Sequence, residues 1–584
     1  VRRPGLLAAA VVALVAATVV AFPVAAHAAP RVSSPIGTQQ EVEADRPVPV
    51  PEGTPCTEQI VDHDFGNSYY APAIGTYAPP AACPGPWNTV VLTLTSSVVG
   101  EQFDRLLDVT VGGAELLHGS TSEPCCTGSN AVTWTVQRDV TQYSSLFESS
   151  QPVLMQLDNV TDSTYTGIYD VQVSLSFYEA SVTAPARDVP DEVLPITQVA
   201  GELASPQTAN EPEYSVSAAG QQVGQSVTFP RNLDRLTAEL FADGHGPCEE
   251  FFYEDPSNCA GSPYREVAIY IDGALAGAAP VYPVAFTGLD GPGLWEPVPS
   301  PRAWDLRPYD VDLTPFVGEL TDGQPHKITL GVLDATYTSG DYWPVAANLL
   351  AYEQHDTAVT TGALTSSSAP AAPTDTVSTD AGGTDAAYRD VASHVLTFTG
   401  YVNSPTGPVT TTVTSTNGET STQGATVADD ASWTWDETSA TTAGGHTTTD
   451  DDDLAYSALV AGPATFTFGD SGTDTDSTDG SETAQSTFTE TMTTADATGL
   501  AYNGAETEKY GYADTAGACY DRTLGSQAGE LTVDTTDALC PTVTAVGPPT
   551  SVPEAPMPEL LLGAGVVALG GVALGRRRRR VRAR

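Results

Sequence analysis

Residues 229–304 read FPRNLDRLTAELFADGHGPCEEFFYEDPSNCAGSPYREVAIYIDGALAGAAPVYPVAFTGLDGPGLWEPVPSPRAW. Three runs in this stretch, 235–241, 267–271 and 281–286, are rich in aliphatic and aromatic side chains, and Gly, Pro, Asn and Asp punctuate the sequence between them. Short apolar runs bounded by turn residues predict strands. Acids and rings crowd the connecting segments, where Glu249, Glu250, Glu266 and Glu296 stand among Phe251, Phe252, Tyr253, Trp295 and Trp304. Rings cover the apolar C–H face of a sugar while carboxylates accept its hydroxyls or move protons, so one reading is a carbohydrate site. The other makes the rings sandwich core and the acids a solvated rim.

The pattern extends along most of the 584 residues. Helix-period stretches are scarce, and Thr, Val and Tyr alternate between frequent Gly and Pro, which predicts an all-β chain of sandwiches. A first β-sandwich is expected over 51–180, a linker over 181–205, and a second sandwich over 206–356. A low-complexity linker over 357–390 leads to a C-terminal β-rich region over 391–545, whose thin apolar pattern predicts a smaller or looser domain.

The two ends read as targeting segments. Residues 1–28 combine Arg2 and Arg3, an apolar run over 6–22 and Ala26-His27-Ala28, the pattern of a secretory signal, followed by a disordered lead-in over 29–50. A Pro-rich spacer over 546–559 precedes an apolar segment over 560–575 and a basic tail over 576–584. Sixteen helical residues span about 24 Å against a bilayer core of about 30 Å. The segment is therefore expected to act as a short membrane anchor or a sorting signal, with the arginines on the cytoplasmic side. The implied location is secreted or cell-surface.

Charge and cysteines fit export. Of 23 basic residues nine lie in these two end segments, leaving fourteen against 73 acids in the whole chain. A body this acidic repels nucleic acid. Eight cysteines in an oxidising compartment favour disulfides, and local spacing predicts Cys56–Cys83, Cys248–Cys259 and Cys519–Cys540. Cys125 and Cys126 are left either as an adjacent pair that would stiffen the turn after Glu123 or as partners of cysteines elsewhere. No CxxC, HExxH, GxSxG or phosphate-loop pattern occurs, so no metal or cofactor is expected. His63, His245 and His394 read as ordinary surface or packing residues, and Asp104 with Arg105 as a surface ion pair.

Two sets of segments carry a resemblance. The first domain holds CTEQIVDHDFGNSYYAPAIGTYAPPAAC, GEQFDRLLDVTVGGAELLHGSTSEP and LDNVTDSTYTGIYDVQVSLSFY; the second holds TFPRN, EEFFYEDPSN, YREVAIYIDG and ANLLAYEQ. With FTGYVNSPTGPVTTTV and GYADTAGACYDRTL further on, the chain resembles the peptide-N-glycosidase A family over most of 52–545. It is similar, more faintly, to the bacterial peptide-N-glycosidase F, a pair of eight-stranded jelly rolls with the active site at their junction. The resemblance implies two jelly-roll-like sandwiches side by side. It also implies hydrolysis of the amide joining an N-glycan to asparagine, with N-glycosylated peptides or proteins as substrates.

Carried onto this sequence, the primary catalytic carboxylate is Asp104 and the second Glu250, with Glu249 an adjacent alternative. Arg105, Glu123, Glu266, Trp295, Glu296 and Trp304 are the implied binding or orienting groups. Two other classes stay open: a non-catalytic glycan-binding or adhesion protein, and a glycosidase using Asp104 and Glu250 on a sugar–sugar bond.

Overall fold

The hairpin LDVTVGGAELLHG shows how this sequence writes its fold. Strands β4 (Leu107–Val111) and β5 (Ala114–Gly119) are joined by Gly112-Gly113. Both glycines hold positive φ, 64° and 85°, the requirement of a two-residue turn matched to the strand twist. The register slips between Val109 and Thr110, so β5 carries one residue more than β4. A computed structural model describes residues 48–122, 131–199, 212–249, 251, 261–281, 303–335, 337, 340–382 and 385–404. It further describes 407–429 and the strand segments beyond, out to 533.

The first sandwich closes around that hairpin. One antiparallel sheet runs in the order β1 (Cys56–Phe65), β8 (Ile168–Glu179), β3 (Trp87–Val99), β6 (Ala131–Asp139). The other runs β2 (Ala73–Tyr77), β7 (Gln151–Leu157), β4, β5. Strand β8 alternates as the pleat demands: Tyr169, Val171, Val173, Leu175 and Phe177 are all buried in the core shared by the two sheets. A disulfide joins Cys56 to Cys83, as the spacing predicts.

The second sandwich repeats the order strand for strand. One sheet runs β10 (Tyr214–Val216), β17 (Trp343–Glu353), β12 (Leu233–Ala242), β15 (Tyr309–Asp312). Its mate runs β11 (Val223–Val227), β16 (His326–Leu333), β13 (Glu266–Ile271), β14 (Ala274–Pro280). After β6 and again after β15 the chain makes a short helical turn, α1 (Ser144–Phe147) and α2 (Val317–Leu320).

Both expected linkers carry strands. Within 181–205, β9 (Glu192–Ile196) pairs with β17 beyond the end of β10; among the described residues it has no second neighbour, which is why Pro195 is tolerated. Within 357–390, β18 (Thr361–Ser368) and β19 (Thr374–Gly382) open a sheet of eleven antiparallel strands running out to Val533. The C-terminal region is thus larger than expected. It attaches by burying Leu396, Phe398 and Val402 in the second core, with the Phe398 ring 5.1 Å from Phe316. The expected signal and the 560–575 anchor lie outside the described residues, and among those described no helix is long and apolar enough to cross a membrane.

Candidate active site

Hairpin register decides which residues reach the junction of the two sandwiches. Asp108 and Thr110, two apart on β4, point away from the core that holds Val109 and Val111. Asp108 pairs with His118 and Thr110 with Glu115. Three residues apart, Glu115 and His118 would ordinarily face opposite ways; the extra residue at Leu116 brings both onto the outer face. That face is polar yet buried, because the second sandwich covers it. Asn348 of β17 donates to the Glu115 carbonyl at 2.7 Å and accepts from its N–H at 3.2 Å. Thr197, after β9, donates to the Gly113 carbonyl at 2.8 Å.

Asp104 stands at the rim of this junction on a pinned loop. Buried Gln102 donates to the carbonyls of Val160 and Gly167, each at 3.1 Å, and its side-chain oxygen accepts from Arg105 at 2.6 Å. Tyr169 holds the Phe103 carbonyl at 2.6 Å, and the Arg105 N–H donates to Thr121 at 2.8 Å. Arg105 is buried, its guanidinium also reaching the Val160 carbonyl and lying over the Phe103 ring. It is a brace for the loop, not half of the expected surface pair. Asp104 keeps partial exposure. Burial pushes its carboxyl up to about 7, the charge of Glu249 adding to the rise, while Arg105 and His245 pull the other way.

Across the junction the second sandwich supplies His245 and Glu249. The motif Gly244-His245-Gly246 follows β12, and its glycines are obligatory. A Cβ on Gly246 would lie 2.7 Å from the Gly340 carbonyl oxygen with φ at 102°, and one on Gly244 2.9 Å from the Trp343 ring. His245 is anchored by a two-way backbone bridge to Tyr342. Its Nε2 meets Asp243 in a short contact and its Nδ1 lies 3.5 Å from Glu249. Burial works against its charge, but Asp243 and, after it, Glu249 together outweigh burial and push the imidazole up to about 10, so it is a cation at neutral pH. Asp243 itself stays well below the usual carboxylate range despite burial, held there by His245 and His118. A carboxylate poised near neutrality thus faces an imidazolium–carboxylate pair, an arrangement able to move a proton and steady a developing negative charge.

The other expected site residues separate. Trp304 is fully buried in the first core, its ring 5.6 Å from Trp134, so its expected contact with a sugar gives way to packing. Glu266 is also fully buried. It accepts from Tyr264 at 2.5 Å and Asn417 at 3.0 Å, and lies 2.6 Å from Nδ1 of His394, which ties the second sandwich to the C-terminal sheet. His394 is therefore a partner in that network, and His245, expected to be ordinary, belongs to the site. Glu123, Glu250, Trp295 and Glu296 lie outside the described residues, as do Cys125, Cys126, Cys259, Cys519 and Cys540. Cys248 is disulfide-bonded.

Over residues 38–370 the sequence matches the family described as peptide N-acetyl-beta-D-glucosaminyl asparaginase amidase A. The chain belongs to this amidase A family. It is 32% identical over 388 residues to the peptide-N4-(N-acetyl-beta-glucosaminyl)asparagine amidase A of Prunus dulcis, covering 63% of this chain and 66% of that relative's length. Among solved structures it is similar to PNGF-II, with TM-score 0.36 and 15% identity over 52% of this chain and 66% of that one. It is similar too to PNGase F, a glycosylasparaginase from Flavobacterium meningosepticum, with TM-score 0.33 and 14% identity over 52% of this chain and 96% of that one. Structural likeness at this level bears on neither the site nor the reaction.

Proposed function

We propose that this amidase A family member is a glycoamidase. It hydrolyses the amide between the first sugar of an N-glycan and the asparagine side chain of glycopeptides or glycoproteins. The observation that carries the reading is Asp104, raised to about 7 on a braced loop facing His245 and Glu249. The name of the Prunus dulcis relative agrees with it. In the reaction Asp104 takes a proton from water as the oxygen attacks the amide carbon. It returns that proton to the nitrogen as the C–N bond breaks. Aspartate and a glycosylamine result, and the glycosylamine loses ammonia in water. A carboxyl near neutral pKa suits both transfers. His245, kept charged by Asp243, stabilises the negative charge on the attacked carbonyl oxygen. Glu250, adjacent to Glu249, is the proposed second acid.

The strand orders 1-8-3-6 against 2-7-4-5, and their repeat in the second sandwich, support the reading of both as jelly rolls. Export to the cell exterior or surface, with 560–575 as the anchor or sorting signal, is part of the same proposal, and the Cys56–Cys83 disulfide supports it. Recovery of the native chain from the cytosol with reduced cysteines would contradict export. For the reaction, mass spectrometry of a treated glycopeptide decides. Conversion of asparagine to aspartate, a gain of about 1 Da over unmodified asparagine after hydrolysis of an amide, is expected. Asparagine still bearing one sugar would mean a glycosidase, and an unchanged glycopeptide a binding protein.

A further inference from the structure

Behind the proposed proton-transfer groups lies a second cluster, of which the reaction uses only Asp243. His118 Nδ1 is 2.7 Å from an Asp108 oxygen, 3.1 Å from Glu213 and 3.2 Å from Glu115, while its Nε2 is 2.9 Å from Asp243. All five residues are at least nine-tenths buried: Glu115 is 0% exposed, His118 1%, Asp108 3%, Asp243 6% and Glu213 7%. An imidazole nitrogen carries at most one hydrogen, so Nδ1 can serve only one of the three carboxylates that crowd it. Among the described residues, both Glu115 oxygens and one Glu213 oxygen are buried with no hydrogen-bond partner. Orphaned buried carboxylate oxygens are costly, and two of them, one from Glu115 and one from Glu213, converge with the Asp108 oxygen on one ring nitrogen, which calls for a shared positive charge.

We propose that Asp108, Glu115, His118 and Glu213 bind one divalent metal ion at the junction of the sandwiches. One donor atom from each lies within 4.8 Å of the others. That is the spacing of ligands about a single ion, since bonds of about 2.0–2.6 Å put opposite ligands roughly 4–5 Å apart. Three carboxylate oxygens and one imidazole form an oxygen-rich set suited to a first-row ion of the Mn²⁺ or Zn²⁺ kind. His118 then gives Nδ1 to the metal and donates Nε2–H to Asp243, the carboxylate–histidine–metal arrangement that fixes a ligand's tautomer.

Motif reading expects no metal because these ligands come from 108, 115, 118 and 213, brought together by one bulged hairpin and the start of β10. The proposal does not rest on the glycoamidase reading. Asp243 connects the two, touching His118 on one side and His245 on the other, so the ion would position the His245 pair from behind.

The test uses the full chain, stripped with chelator and titrated separately with MnCl₂, ZnCl₂ and CaCl₂ by calorimetry, with Mn²⁺ also followed by its spin resonance. One ion per chain is expected, with a melting temperature that falls on stripping and recovers with metal. Glu115→Gln and Glu213→Gln should each weaken binding at least tenfold, and Asp243→Asn by about 10–100-fold through His118. Binding of none of the three ions at millimolar concentration would overturn the proposal. So would a Glu115→Gln chain that melts above the wild type and binds metal equally well, the behaviour of a cluster that holds protons. Should a substituted chain fail to fold, the wild-type titration decides alone.

Discussion

The β4–β5 hairpin of the first sandwich and the β13–β14 hairpin of the second share a backbone and differ in chemistry. Each turns through two residues of positive φ, Gly112-Gly113 in one and Asp272-Gly273 in the other. Each slips register at the corresponding point, Val109/Thr110 and Ile269/Tyr270. Each is preceded by an arginine that braces its lead-in loop and lies over a ring, Arg105 over Phe103 and Arg265 over Phe251. The cross-strand pair Asp108–His118 answers to Ala268–Ala278, and Thr110–Glu115 to Tyr270–Leu275. Asp104 answers to Tyr264. One scaffold therefore appears twice, and the positions held by Asp104, Asp108, Glu115 and His118 in the first are held by Tyr264, Ala268, Leu275 and Ala278 in the second. Fold and site are separable here, and the site is a set of substitutions on a repeated frame.

The comparison breaks most sharply at Asp104. Asp104→Asn keeps size and removes the base, and turnover on a glycopeptide should fall by about 10²–10⁴-fold. The same change should raise stability at pH 8. The folded-state pKa lies above the ordinary 3.8, so ionisation of Asp104 opposes folding; wild-type stability declines as pH rises from that value through about 7. Thermal melts should show the variant above the wild type at pH 8, with the gap closing below pH 4 (about the ordinary aspartate value). A lower melt at every pH would mark Asp104 as a structural residue.

A smaller effect is expected where the sandwiches meet. Asn348→Ala removes the partner of both the Glu115 N–H and its carbonyl, and a hydrogen bond to the Tyr143 hydroxyl. Each buried group left without a partner costs about 1–3 kcal/mol. Denaturant unfolding should report a loss of that order, and turnover per folded chain should fall as the two halves of the site loosen. Unchanged stability would mean the sandwiches do not depend on this contact.

Tyr264→Phe, at the position matching Asp104, should do least. It removes one donor to Glu266, which keeps Asn417 and His394. A loss of about 0.5–1.5 kcal/mol in unfolding free energy with turnover unchanged is expected. A large fall in turnover would show that the second hairpin shares in the reaction.

Much of this was legible in the sequence. Alternating runs between Gly, Pro and Asp marked the strands, and the family resemblance carried by FDRLLDV is what proposes Asp104. The rest depends on what only folding brings together. Trp304, between proline-rich turns, reads equally as a sugar platform or as core, and the choice depends on Trp134, 170 residues earlier in the chain. Glu115 and His118 share a face through a bulge that leaves no mark on composition. Asp243 and Glu213 join them because one sandwich docks on the polar face of the other. Pro195 and the Ala/Pro-rich sequence around it read as linker, although an edge strand accepts proline.

The central claim, that Asp104 is poised near neutrality and must be ionised to work, is tested most directly by kcat/KM against pH on a glycopeptide. Wild-type kcat/KM should rise about tenfold per pH unit at low pH and level off above about 7, because the free enzyme's essential base sets that limb. Asp104→Asn should lack the limb and stay low throughout. A wild-type profile already flat above pH 5, or an Asp104→Asn chain that keeps both the limb and the rate, would contradict the account.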